Sequence, residues 1–299
     1  MSALGTPKNA TDTVAIVTAW KERKKVNALG RLLRRPGAVA AAVFLAIVVI
    51  ASVLAPLIAS DPNAFTATER LMPPSVDHLF GTDKTGRDVF SRTVYGGQAS
   101  LTVGVVTALV ATVLGALVGI LSSMVRVVDV VVMRIVDGVM SFPILVLALS
   151  MTAILGPGQF TVIFALTIVF FPNVTRIVRS TAIVASELPM IDAARAIGAS
   201  GPRIFFRYVL PQCTTPILVQ AAIVFTTAVL VESALSFIGA GLPPTVPSWG
   251  GALAEARSYL TTAPWMWGFP GLALVLTVLS ANVVIDAVRD ILDPREGGK

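Results

Sequence analysis

The sequence predicts an all-α integral membrane protein with six transmembrane helices, and three observations carry that expectation. Only 13% of the 299 residues are charged, 55% are hydrophobic, and mean hydropathy is +0.82; soluble domains carry about 25% charged residues. The charges are segregated: residues 36–60, 93–125, 138–175, 208–231 and 258–285 contain no Asp, Glu, Lys or Arg. A hydrocarbon core of about 30 Å needs about 20 helical residues, so each run is long enough to cross. The run 138–175 would measure about 57 Å as one helix, too long for one crossing, and Gly156-Pro157-Gly158 near its middle marks a turn. It therefore reads as a helical hairpin, and the predicted spans are 37–58, 99–123, 133–155, 159–177, 214–240 and 266–288.

Residues 1–35 form a basic N-terminal tail, with Lys21 to Lys25 and Arg31 to Arg35 suited to anionic lipid or simply to fixing topology. The first span is not a cleavable signal: it starts late, is too long for an h-region, and ends in Ala55-Pro56-Leu57 without a cleavage site. The span and the segment after it make up 36–98. Within that segment Pro62, Pro73 and Pro74 break the chain early. Asp83 or Thr85 is expected to cap a short amphipathic helix carrying Val89, Phe90 and Val94. Asp83, Arg87 and Asp88 are expected to pair at helical spacing; the Asp spacing is not that of an EF-hand, nor the Gly spacing that of a P-loop. In the second span Gly115-x-x-x-Gly119 offers a small-residue face for close helix contact. Arg134 and Asp137, three residues apart near one end of the third span, read as a local pair.

Orientation follows from the basic residues. With six spans the termini share a side; if that side is the cytoplasm, its segments hold 18 Lys and Arg against five outside, which satisfies the positive-inside bias. This places a multi-pass protein in the cell membrane with both termini cytoplasmic. A nucleic-acid surface is disfavoured, because the basic residues sit at helix ends without interleaved aromatics. One Cys, Cys213, and one His, His78, exclude an internal disulfide and a multi-Cys or multi-His metal site.

Residues 186–211, SELPMIDAARAIGASGPRIFFRYVLP, are a polar, basic island between apolar runs. Ser186 before Glu187 and Pro189 predicts a helix start, the helix running from about 187 to 197 with Gly198 as its left-handed terminator. Gly201-Pro202 opens a second short helix, and Pro211 is expected to interrupt the pattern before the next span. Small residues at Ala193, Ala194, Ala196 and Gly198 allow another backbone to approach closely.

This island resembles the EAA loop of permeases in binding-protein-dependent ABC importers: E-A-A, three residues, G, nine residues, I, one residue, L-P. The chain has Asp192-Ala193-Ala194, Gly198, Tyr208 and Leu210-Pro211 in that register, with Asp192 in place of Glu and Tyr208 in place of Ile. Residues 78–101, HLFGTDKTGRDVFSRTVYGGQASL, are similar to the C-type permease of dipeptide, oligopeptide and nickel importers. So are Asp137 through Phe142-Pro143, 232–239 (ESALSFIG), Pro247-Ser248-Trp249-Gly250, and Asp286 through Asp293-Pro294-Arg295. Together they cover about 36–295.

The resemblance implies one N-terminal span followed by a five-helix type I ABC importer core at 99–290, with a short cytoplasmic tail at 291–299. It implies a heterodimer with a B-type permease, two cytoplasmic ABC ATPase subunits and an extracytoplasmic substrate-binding protein. ATP and Mg would be bound by the partner subunits, leaving this chain without a cofactor and without catalysis of its own. The ATPase-coupling residues it implies are Asp192, Ala193, Ala194, Gly198, Ala199, Ser200 and Gly201. Peptides are the expected cargo, with nickel chelates, haem and glutathione as alternatives.

Two further residues are candidates. Glu232 lies inside the fifth span, where an ionisable group is costly and faces protein or water; it is either a pathway or gate residue or a structural hydrogen-bond partner. Trp249, in the rigid segment 243–250, is either a receptor-facing residue or, like Trp265 and Trp267, an interfacial anchor. Two other classes fit less well. A membrane enzyme would need a motif such as HExxH or GxSxG, which the chain lacks. An ion-driven secondary transporter would favour several buried carboxylates and an internal inverted repeat, whereas only Glu232 sits deep and no repeat is visible.

Overall fold

The computed structural model describes residues 35–292; the basic tail 1–34 and the end 293–299 lie outside the described residues. Helix α1, Pro36–Val53, starts on a proline, tolerated because the first N–H groups of a helix have no intrahelical partner. A one-turn helix, Ala55–Ile58, extends it. Helix α2 runs from Val89 to Met124, ten residues earlier than the predicted span. The expected amphipathic helix is therefore the first part of α2, and its cap is neither Asp83 nor Thr85. Asp88 takes that role, its Oδ2 accepting from Ser91 N at 2.7 Å and Ser91 Oγ at 2.8 Å. At about 54 Å α2 is far longer than the bilayer core, so it projects beyond it.

The third predicted span is not straight. Helix α3, Arg126–Met140, and helix α4, Ile144–Leu155, meet at 90° across the break 141–143. Pro143 has no N–H to continue the ladder, and the last turn tightens instead: Phe142 N donates to Val139 O at 3.3 Å and Ser141 Oγ to Gly138 O at 2.7 Å. Gly156-Pro157-Gly158 makes the hairpin turn the composition predicted, and helix α5 follows at Gln159–Ser186. Helices α6 (Pro189–Ala196) and α7 (Gly201–Ile204) come next, then a π-turn, Phe205–Val209, and helix α8, Leu210–Phe237. Pro211 does not interrupt the chain as expected. The wide π-turn, closed by Leu210 N donating to Phe205 O, makes room for the proline ring, and α7 runs on into α8. Helix α9, Trp249–Ala256, is capped by Ser248 Oγ accepting from Gly251 N at 3.0 Å, and helix α10, Trp265–Leu292, closes the fold. Among the described residues five helices are long and apolar enough to cross a membrane, and the count is six if the bent α3–α4 pair is one span.

In lipid there is no hydrophobic gain in burying one apolar helix against another, so association relies on close van der Waals packing and hydrogen bonds. The core accordingly joins α2, α4, α5 and α8 through mostly small side chains, among them Ala111, Ala148, Val162, Val174 and Ala228. Gly115 and Gly119 seat α2 against α5 as the small-residue face predicted: a Cβ at Gly119 would lie 2.6 Å from Thr175 O. Helix α1 stands outside this core, along α10 and α2, with Val43, Ile47 and Ile50 exposed and Arg35 paired with Asp290 at 2.5 Å.

Candidate functional site

Residues 187–209 protrude from one end of the bundle, the end at which α5 stops and α8 starts. Ser186 is the last residue of α5, its hydroxyl donating to Ile183 O, and does not cap α6, which begins at Pro189 without a side-chain cap. Helix α6 closes on Gly198 at φ +84°: Gly198 N donates to Arg195 O at 2.9 Å and Ala199 N to Ala194 O at 3.0 Å, a Schellman closure. Asp192 and Ala193 are exposed, Asp192 pairing loosely with Arg195 at 3.5 Å, and Gly198, Ser200 and Gly201 are exposed with them. Ala199 is half-buried and Ala194 is buried, so Ala194 faces inward and offers nothing to an outside partner. Ala194 and Ile191 instead pack on Ala182 and Ala185 of α5 and on Ile204, Val209 and Cys213. The outer face carries Ile197, 84% exposed, and Phe206, 68% exposed. Composition did not single out this apolar pair: the island reads as polar, and only the fold shows which side the two face.

A groove of about 370 Å³ opens beside the elbow 141–143, lined by Met140, Phe142, Leu147, Phe170, Asn173 and Thr227 among others. The lining includes no ionisable side chain. Two acid–base pairs join α3 to α5 near it. Arg179 holds Asp129 bidentately, its Nε donating to Oδ1 and its Nη2 to Oδ2 at 2.7 Å, and Arg176 donates to Asp137 at 2.5 Å. Asp137 therefore pairs with Arg176 across helices and not with Arg134 along α3.

Glu232 and Trp249 lie at the opposite end of the bundle and not on the groove. Glu232 is wholly buried, one turn before α8 ends; its Oε1 accepts from Ser236 Oγ at 2.8 Å, and Ser236 Oγ in turn accepts from Leu242 N at 3.2 Å. The carboxyl thereby pins the turn that follows α8. Trp249 is 1% exposed, its Nε1 donating to Thr93 O at 2.9 Å, which rules out the receptor-facing and the interfacial-anchor readings alike. The reason is steric: Gly96 and Gly97 of α2 have no side chains, and the indole lies where they would stand, 3.3 and 3.1 Å from the position of a Cβ at each. Trp265 donates to Thr82 O at 3.0 Å, and among the described tryptophans only Trp267 has substantial exposure, 42%.

The segment 60–88 is tied to the same end by charge. Asp83 Oδ1 accepts from Thr85 N, Thr85 Oγ1 and Arg87 N, so Asp83 and Arg87 pair within a tight turn and not along a helix. Arg87 and Arg92 both donate to Glu255 of α9. Burial pushes the Asp83 carboxyl up, but hydrogen bonds from Thr85 and Arg87 and the Arg87 charge outweigh it and hold it below the ordinary aspartate value. Asp88, besides capping α2, meets His78 Nδ1 at 3.2 Å.

The apolar spans, the bent pair and the projecting helix–turn–helix define a multi-pass membrane protein of the transport class. The chain belongs to the family described as binding-protein-dependent transport system inner membrane component, which matches residues 111–297. Residues 26–74 match the N-terminal TM domain of oligopeptide transport permease C. A permease of Brucella suis biovar 1 named for a peptide transport system is 45% identical over 266 residues, covering 89% of this chain and 90% of that one. The dipeptide transport system permease of Alkalihalophilus pseudofirmus is 37% identical, covering 95% and 92%. The glutathione transport system permease of Pectobacterium atrosepticum is 36% identical, covering 94% and 93%. Among solved structures, a chain of the MetNI methionine ABC transporter in an inward-facing conformation superposes with a TM-score of 0.54 at 23% identity, over 68% of this chain and 97% of that one. The N-terminal span plus importer core expected from the sequence is the architecture found.

Proposed function

We propose that this permease is the C-type membrane subunit of an ATP-driven importer of peptides, and that residues 187–209 are the surface through which ATPase subunits drive it. The observation that carries this reading is the rigid, outward-facing α6–α7 element, whose buried face is locked to α5 and α8 and whose exposed face presents Ile197 and Phe206 between polar residues. A lever must be stiff where it joins the bundle and adhesive where it is gripped, and this element is both. Asp192, Ala193, Gly198, Ser200 and Gly201 make up the gripped face; Ala194 and Ala199 hold it to the bundle.

In this reading a B-type permease completes the pathway as a heterodimer, two ABC ATPases bind and hydrolyse ATP with Mg, and an extracytoplasmic receptor delivers substrate. This chain then has no cofactor and catalyses nothing. The basic residues favour the cytoplasm for both termini and for 187–209. ATP binding biases one of two packings of the bundle through the difference in contact energy at the gripped face. Peptide cargo rests on the relatives named for peptides and dipeptides; the glutathione relative, itself named for a small peptide, is nearly as similar.

Two measurements test the reading. Ile197→Asp is expected to abolish co-purification of the ATPase subunits while the two permeases stay together; retention of the ATPases would overturn the coupling role. Calorimetry of the cognate receptor against di- to oligopeptides, nickel chelates, haem and glutathione is expected to give binding for peptides, and a receptor that binds only a chelate or haem would overturn the cargo.

A further inference from the structure

Helix α3 is a 15-residue rod between two breaks. It leaves α2 through the extended residue Val125 (φ −125°, ψ 107°) and ends at the elbow 141–143, where Pro143 stops the ladder. Its outer face is exposed, Val127, Val131 and Ile135 among it, and its single buried residue is Val136. A rod so lightly packed would swing freely on its two breaks, because backbone at a break changes angle at little cost. What else fixes it is the pair of ion bridges to α5. They lie eight residues apart on α3, about 12 Å, and bracket Val136, so together they set position and tilt. Planar guanidinium–carboxylate pairing adds direction to attraction.

Helix α5 is the common element. Toward one end its Val169, Phe170 and Asn173 line the groove; Arg176 and Arg179 hold α3; then Ala182 and Ala185 pack against α6. We infer that α3 is a strap carried by α5, with Asp129–Arg179 and Asp137–Arg176 as its ties, so that movement of α6 shifts the elbow bearing Met140 and Phe142 at the groove. Asp129 and Arg179 are positioning residues: they touch no substrate and act by carrying motion from the ATPase-facing end to the path. The inference rests on the coupling role proposed for 187–209.

The test uses the assembled importer in proteoliposomes and reads peptide transported per ATP hydrolysed. Asp129→Asn and Arg179→Gln are each expected to lower that ratio about fivefold or more, the scale of a modest coupling energy, with the ATPases still bound. The reversed pair, Asp129→Arg with Arg179→Asp, is expected to recover most of it. As a guard against misfolding, Asp129→Cys with Arg179→Cys in a Cys213→Ser background should be uncoupled before, and recoupled after, a short thiol–thiol cross-linker joins α3 to α5. An unchanged ratio in both single variants, or a cross-linked importer that stops transporting, would overturn the strap. Loss of the ATPases is the signature of a failed coupling surface and is scored separately with Ile197→Asp.

Discussion

Ser236 holds more of the molecule than its size suggests. Its hydroxyl donates to Glu232 and accepts from Leu242 N, so it joins the end of α8 to the turn that returns the chain toward α9. Ser236→Ala leaves a buried carboxyl and a buried N–H without that partner, a loss of about 1–3 kcal/mol for an unsatisfied buried group. It should appear as a lower thermal midpoint of the purified permease, with the end bearing 187–209 unaffected. Gly198 makes the opposite argument, from backbone and not from contact. Its φ of +84° is strained for any L side chain, while nothing lies within 4 Å of where a Cβ would stand. Gly198→Ala should therefore cost about 1–2 kcal/mol through conformation alone, and Gly198→Asn less, since Asn tolerates the left-handed region; melting temperatures ordered otherwise would refute this. Gly198 was legible in the sequence because a helix-ending glycine is a local matter. Trp249 was not, because its burial depends on Gly96 and Gly97 of α2, which meet it only in the fold.

Among the elements, proline shows where local reading stops. Pro172, Pro216 and Pro270 all lie inside helices, yet Pro143 breaks one at 90°. Each removes one N–H; whether the helix survives depends on what neighbouring groups do for the freed carbonyl, and that is settled by packing. The elbow, and with it the groove, was invisible for this reason. The α2–α5 contact was partly visible, as a glycine pair four residues apart, although the pattern does not name its partner. Gly119→Val would drive its side chain into the α5 backbone at Thr175 O and Arg179 N, where nothing yields as a flexible side chain would. The expected result is loss of folded permease from detergent extracts, whereas Gly138→Ala, with no neighbour within 4 Å, should be recovered at normal yield.

At the scale of the whole molecule, the two ends of the bundle are built differently. The end bearing 187–209 is made of small residues and an exposed apolar face; the other is cross-linked by Asp83, Arg87, Arg92 and Glu255, which fasten segment 60–88 to α9. Because the folded Asp83 titrates below the unfolded value of 3.8, its contribution is complete above that pH and is lost as pH falls through the depressed folded value. Asp83→Asn should therefore melt below the wild type at neutral pH, and the gap should close as solutions are acidified past 3.8; a gap that widened on acidification would refute the assignment. The sequence by itself determined the class, the apolar crossings, the hairpin and the two short helices of 187–209, because hydropathy, charge placement and helix termination act over a few neighbouring residues. The tertiary structure alone decided that Ala194 and Trp249 face inward, that Asp137 answers Arg176 and not Arg134, and that the chain bends by 90° between α3 and α4. Each of these depends on groups brought together from distant parts of the chain, whose distances no local pattern encodes.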